Sequence, residues 1–98
     1  MIASFRDDWL RRFFVDDIRS RQIPPALAVR VFRKLQLLDD STTEQDLCIP
    51  PGNRFERLRG GLSGYCSLRV NQQWRLIFRW DSIYGVATEV YLDPHTYQ

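Results

Sequence analysis

The chain has 98 residues, of which 44% are hydrophobic and 13% aromatic, with a formal net charge of +2. That is enough material for one small packed core without metal or disulfide staples, and no apolar run approaches the roughly 18 residues a membrane helix needs. Cys48 and Cys66 share no metal-ligand spacing with each other or with the only histidine, His95, so the expectation is a reduced, cytoplasmic protein without a signal peptide, metal or cofactor.

Taken in chain order, Ile2–Phe5 reads as a first strand or an N-terminal cap on a sheet, and Ser4 with Asp7 resembles a capping box. From Arg6 the apolar residues Trp9, Leu10, Phe13, Phe14 and Ile18 follow helical spacing with charged residues between them. Pro24-Pro25 breaks that helix and suits the first turn of a second, which Leu27, Ala28, Val31, Phe32, Leu35 and Leu38 carry to about Asp39. Ser41-Thr-Thr-Glu44 reads as a capping box before a helical turn over 42–47, and Cys48–Asn53 as a loop.

The period then changes. Residues 54–59, 64–71, 73–80 and 85–93 read as strands, with turns at Gly60-Gly61 and Asp81–Tyr84. Alternation places Cys66, Leu68, Val70, Trp74, Leu76, Phe78 and Trp80 on one face, and Ser67, Arg69, Asn71, Gln73, Arg75 and Arg79 on the other, with Ile77 interrupting the polar row. In the last strand Val86, Thr88, Val90 and Leu92 are expected to face one way and Glu89, Tyr91 and Asp93 the other. Helices first and strands after predict an α+β layer: two N-terminal helices on one face of a mainly antiparallel, four- to five-stranded sheet, in a single domain over 1–98.

Charge is unevenly spread. Basic and acidic residues cancel over 1–50, whereas 51–80 hold Arg54, Arg57, Arg59, Arg69, Arg75 and Arg79 against Glu56 alone. Guanidinium forks match phosphate oxygens bidentately, so arginines interleaved with aromatics point to RNA or another polyanion. Asp93-Pro94-His95 closes the last strand with an imidazole able to exchange a proton near neutral pH. RNA cleavage requires a base for the 2′-hydroxyl, cations for the crowded phosphorus and an acid for the leaving 5′-oxygen. It needs no metal, because the nucleophile is already part of the substrate. Glu56 either neutralises its arginine neighbours or serves as a carboxylate base.

The segments Asn53-Arg54-Phe-Glu56-Arg57-Leu58-Arg59-Gly60 and Gly64-Tyr-Cys-Ser67-Leu-Arg69-Val-Asn71-Gln-Gln-Trp74-Arg75-Leu-Ile-Phe78-Arg79-Trp80 resemble the HigB-type killer toxins of the RelE/ParE superfamily. The likeness includes Met-Ile-Ala-Ser-Phe at the start and the Pro-Pro-Gly-Asn-Arg loop. It implies a RelE-like toxin of a toxin–antitoxin system that enters the ribosomal A site and cuts mRNA there. Such a toxin is neutralised by a HigA-type helix-turn-helix antitoxin and reaches operator DNA only through that antitoxin.

By matching positions, the resemblance assigns catalysis to Glu56, Arg59, Arg75, Asp93 and His95 and phosphate contact to Arg69, and the basic block with its polar strand face adds Arg57, Asn71, Gln73 and Arg79 as candidates for RNA contact. Arg75 would stabilise charge at the scissile phosphorus. Pro94 stands where the family's Asp-Tyr-His tail carries tyrosine, and Thr96-Tyr97-Gln98 run past the usual end. Proline fixes its own φ and removes an N–H. This departure sets a RelE-fold module that only binds antitoxin or RNA beside the nuclease; a ParE-like gyrase inhibitor is a third possibility, against which the acid/base tail and the Gln-Trp-Arg motif argue.

Overall fold

A computed structural model describes residues 1–94. His95, expected to supply the tail's acid or base, lies outside the described residues. The architecture is the expected α+β layer. Helices α1 (Asp8–Val15), α2 (Ala28–Asp40) and the short α3 (Glu44–Leu47) precede strands β1 (Glu56–Arg57), β2 (Cys66–Arg69), β3 (Arg75–Asp81) and β4 (Val86–Asp93). The strands form one antiparallel sheet in chain order.

The core lies between helices and sheet. Leu10 and Phe13 of α1, Val31, Leu35 and Leu38 of α2 and Leu47 of α3 meet Cys66, Leu68, Leu76, Phe78, Ala87, Val90 and Leu92. Leu35 and Leu76 are fully buried, and truncating either to alanine costs about 2–5 kcal/mol.

The segment Ile2–Phe5 extends the sheet as a short parallel edge beside β4. Ala3 N–H donates to the Ala87 carbonyl (2.7 Å) and Arg6 N–H to that of Val90 (2.9 Å), while Ala87 and Val90 donate back to Met1 and Ser4. Ser4 is committed to this edge, its hydroxyl accepting from Glu89 N–H (3.0 Å), so the capping box expected from it does not form. Asp7 caps α1 without a side-chain bond. The helix ends three residues before Ile18, because Asp17 takes a left-handed φ of 56°, and Ile18 is exposed rather than part of the apolar stripe.

A second correction moves the later capping box by two positions. Thr43, not Ser41, is the N-cap of α3, and its partner is Asp46, not Glu44. Ser41 instead closes α2, donating its hydroxyl to the Leu37 carbonyl (2.7 Å). The strands are also shorter than expected. Left-handed Arg54 (φ 44°) delays β1. Asn71 builds the β2–β3 turn, its Oδ1 accepting from the N–H groups of Gln73 and Trp74 at 2.8 and 2.7 Å. That side chain makes a turn of a sequence without glycine or proline.

The third correction concerns β4. Its register slips between Ile77 and Arg79, whose partners are Tyr91 and Thr88, and Glu89 at the slip has φ 55°. Such a bulge reverses alternation. Ala87, not Val86 or Thr88, is therefore buried before it, and Val90 and Leu92 after it.

Candidate nucleic-acid interface

On the sheet face away from the helices, side chains fall into three rows about 7 Å apart, the span of two strand residues. Glu56, Ser67, Ile77 and Tyr91 are successive register partners and form the middle row. Arg69, Arg75 and Asp93 form a second row at the β2–β3 hairpin end. Tyr65, Arg79 and Thr88 form the third, with Glu89 brought alongside by the bulge. Alternation predicted the β2 and β3 members of this face, but it placed Thr88 on the opposite one, and Ser67 and Ile77 are fully buried.

The third row is internally satisfied. Arg79 Nε lies 3.0 Å from Glu89 Oε2, its guanidinium sits 4.4 Å above the Tyr65 ring, and the Tyr65 hydroxyl donates to Glu89 Oε1 at 2.8 Å. The Tyr65 side chain and then the Glu89 carboxylate hold Arg79 protonated even above the usual arginine range. Beside this cluster Arg6 pairs with Asp7 and lies 3.8 Å from the centre of the Tyr91 ring. Sequence reasoning did not single out Arg6, Tyr65 or Tyr91. The aromatic–cation pairs are tertiary, and only the interleaving of tyrosine with arginine hinted at them.

The hairpin-end row is different. Arg69 and Arg75 are directly opposite each other, and like charges so placed repel. Arg69 Nε donates to the Asn71 carbonyl (3.1 Å). Arg75 has Asp93 opposite on its other side, yet among the described residues neither Arg69 nor Arg75 makes an ion pair. Arg75 Nη1 is buried without a hydrogen-bond partner among those residues, as is Ser67 Oγ. A buried, unpaired guanidinium N–H is costly. Glu56, in the adjoining row, is exposed and unpaired among the described residues.

Of the residues predicted from sequence, Glu56, Arg69, Arg75 and Asp93 thus share one end of one face. Arg79 is on that face but engaged with Glu89. Arg57 opposes Cys66 on the helix side, where it pairs with Glu44 of α3; burial pushes the Cys66 thiol up, with Arg57 pulling the other way. Arg59 is exposed just beyond β1, Gln73 is exposed at the hairpin, and Asn71 is occupied in building that turn. No helix among the described residues is long and apolar enough to cross a membrane.

Comparison with known proteins adds identity to this geometry. The chain is 55% identical over 97 residues to Toxin HigB-1 of Vibrio cholerae, covering 99% of this chain and 100% of that protein. It is 38% identical over 93 residues to an uncharacterised protein of Haemophilus influenzae, covering 95% and 90%. A chain of the toxin–antitoxin complex RelBE2 from Mycobacterium tuberculosis aligns with TM-score 0.49 and 23% identity, covering 74% of this chain and 79% of that one. A family model for the HigB-like toxin, described as the RelE-like toxin of the type II toxin–antitoxin system HigB, matches residues 3–95. The chain belongs to this HigB-like family of RelE-like toxins.

Proposed function

We propose that the chain inhibits translation as a ribosome-dependent mRNA endonuclease, restrained by a HigA-type helix-turn-helix antitoxin. The observation that carries this reading is the pair of opposed, unneutralised arginines, Arg69 and Arg75, with a buried Arg75 N–H left without a partner. Two guanidinium groups that hold no carboxylate suit the oxygens of an incoming phosphodiester.

In this reading Arg69 holds the backbone phosphate and Arg75 stabilises charge as it grows on the phosphorus oxygens. Glu56 reaches across from the middle row to accept the 2′-hydroxyl proton. The 2′-oxygen bonds to phosphorus, the P–O5′ bond breaks, and the leaving 5′-oxygen takes a proton from His95. The products are a 2′,3′-cyclic phosphate and a free 5′-hydroxyl. Asp93, opposite Arg75 in the sheet register, belongs with His95 to the catalytic tail, and Arg59 adds positive charge at the sheet edge. The ribosome completes the site by fixing the mRNA, so naked RNA is a poor substrate.

The test is controlled expression of the full chain with primer extension on ribosome-bound mRNA. The expected result is growth arrest with new 5′ ends in translated messages, relieved by Arg75→Ala. Arrest without new ends would instead favour the binding-only reading that Pro94 motivates, and a DNA-damage response would favour gyrase poisoning. Normal growth with abundant soluble protein would overturn the toxin reading.

A further inference from the structure

Beyond the three rows, a cleft of about 480 Å³ opens at the hairpin end of the sheet, lined by Arg30 of α2, Gly52, and Arg69, Val70, Asn71 and Gln72 of the β2–β3 hairpin. Two of its lining residues are arginines and none is acidic. Arg30 makes no ion pair among the described residues. One turn along α2, Lys34 donates to Asn53 Oδ1, and its ammonium is pushed down first by burial and then by the Arg30 charge. Arg30, Lys34 and Arg69 thus bring three cations to this end of the fold, and none makes an ion pair among the described residues. Like charges gathered without carboxylate partners favour an anion.

The cleft has room for that anion. Nothing lies within 4 Å of where a Cβ at Gly52 would stand, so the floor is open rather than filled by side chains. Arg69 is shared: its position in β2 belongs to the hairpin-end row and it also lines the cleft. A polymer phosphate held there would adjoin one held by the hairpin-end row.

We propose that this cleft is a second phosphodiester subsite, in which Arg30 and Arg69 grip a backbone phosphate next to the one cut, carrying the RNA past the β2–β3 hairpin towards α2. The inference rests on the RNA-cutting reading above and adds Arg30, a residue from the helical layer, to the RNA track. Continuity with Arg69 favours RNA over an acidic segment of a protein partner. Guanidinium forks also suit phosphate better than a lysine-type point charge would.

The test measures binding of the full chain to ribosomes programmed with a 2′-O-methyl mRNA, which cannot be cut, as a function of salt. Arg30→Ala is expected to weaken binding about fivefold, as for loss of an exposed ion pair, and to make the salt slope shallower by about 0.7, as for one lost single-strand phosphate. Arg30→Lys should restore most of the slope. Gly52→Glu, which puts a carboxylate into open space, should weaken binding more than Arg30→Ala, while Arg33→Ala, elsewhere on the exposed surface of α2, should change nothing.

If wild type binds and Arg30→Ala and Gly52→Glu leave affinity and slope unaltered, the cleft is not an RNA subsite and the three-row site stands. If Arg30→Ala weakens only the complex with the antitoxin, the cleft serves a protein and the proposal is overturned. If wild type does not bind programmed ribosomes at all, the RNA reading fails and this inference with it.

Discussion

The two ends of the open sheet face make the same residues behave in opposite ways. At the far end Arg79 is pinned by Glu89 and Tyr65, and Arg6 by Asp7 and Tyr91. At the hairpin end Arg69 and Arg75 oppose each other, and no carboxylate pairs with either among the described residues. Positive charge alone therefore does not mark a binding residue. The cations left unsatisfied by their own fold are the ones with binding capacity to spare. An exposed ion pair is worth little to stability, but forming one withdraws an arginine from other partners.

Removing one arginine from each end separates the two most directly. Arg75→Ala should reduce ribosome-dependent cleavage by about 10²–10³-fold, the usual loss when a group aimed at developing charge is deleted. Arg79→Ala should lower the melting temperature slightly and leave cleavage nearly intact. Cleavage rates of the two variants in the same ribosomal assay decide the matter, and equal losses would show that the far end also contacts substrate. Glu56→Gln keeps shape and hydrogen bonding but cannot take a proton. It should cost about 10²-fold in rate with ribosome binding preserved, a split that separates a base from a mere neutraliser.

Both ends stand on the same scaffold, so damage to that scaffold should affect them together. Gly85 (φ 64°) is the most demanding position: a Cβ there would stand 2.3 Å from the Thr42 carbonyl oxygen. Gly85→Ala should destabilise the protein by about 2 kcal/mol or more, read by denaturant unfolding. The affinity of whatever protein remains folded should be unchanged. The loop that Gly85 abuts is held from its other side by Asp46, whose carboxylate accepts from the N–H groups of Thr42 and Thr43 (3.0 and 3.1 Å) and is kept below the usual carboxylate range by those bonds. A depressed carboxyl contributes stability above its unfolded pKa and loses it as pH falls through the folded value. The stability difference between wild type and Asp46→Asn should accordingly shrink below about pH 4, and a difference that widens on acidification would refute the assignment.

Much of this layout was legible in the residues. Helical spacing gave both major helices, and the shift to period two gave the strands and the arginine face, because those signals arise from burial of whole faces. What stayed hidden depended on single side chains with tertiary partners. Ser4 was drawn to Glu89 N–H instead of capping α1. A bulge at one residue reversed the β4 pattern so that Ala87 replaced Val86 and Thr88 in the core. Arg57 and Arg79 read like Arg69 and Arg75 in sequence, and only the packing of α3 and the bulge at Glu89 gave them carboxylate partners. Composition locates arginines; the carboxylates that neutralise them come from elsewhere in the chain.

A far-end arginine can also be freed instead of removed. Glu89→Asn deletes the carboxylate that holds Arg79 and Tyr65. The backbone should tolerate it, because asparagine accepts the left-handed φ of 55° better than glutamate does. Arg79 then becomes available to a polyanion on the same face as Arg69 and Arg75. Binding to programmed ribosomes should tighten about twofold to fivefold at low salt, with a salt slope steeper by about 0.7. The cleavage rate at saturation should stay put, since the freed charge lies two rows from Arg75. Weaker binding, or an unchanged slope, would mean that Glu89 does more than occupy Arg79, and pairing would no longer explain why the two ends differ.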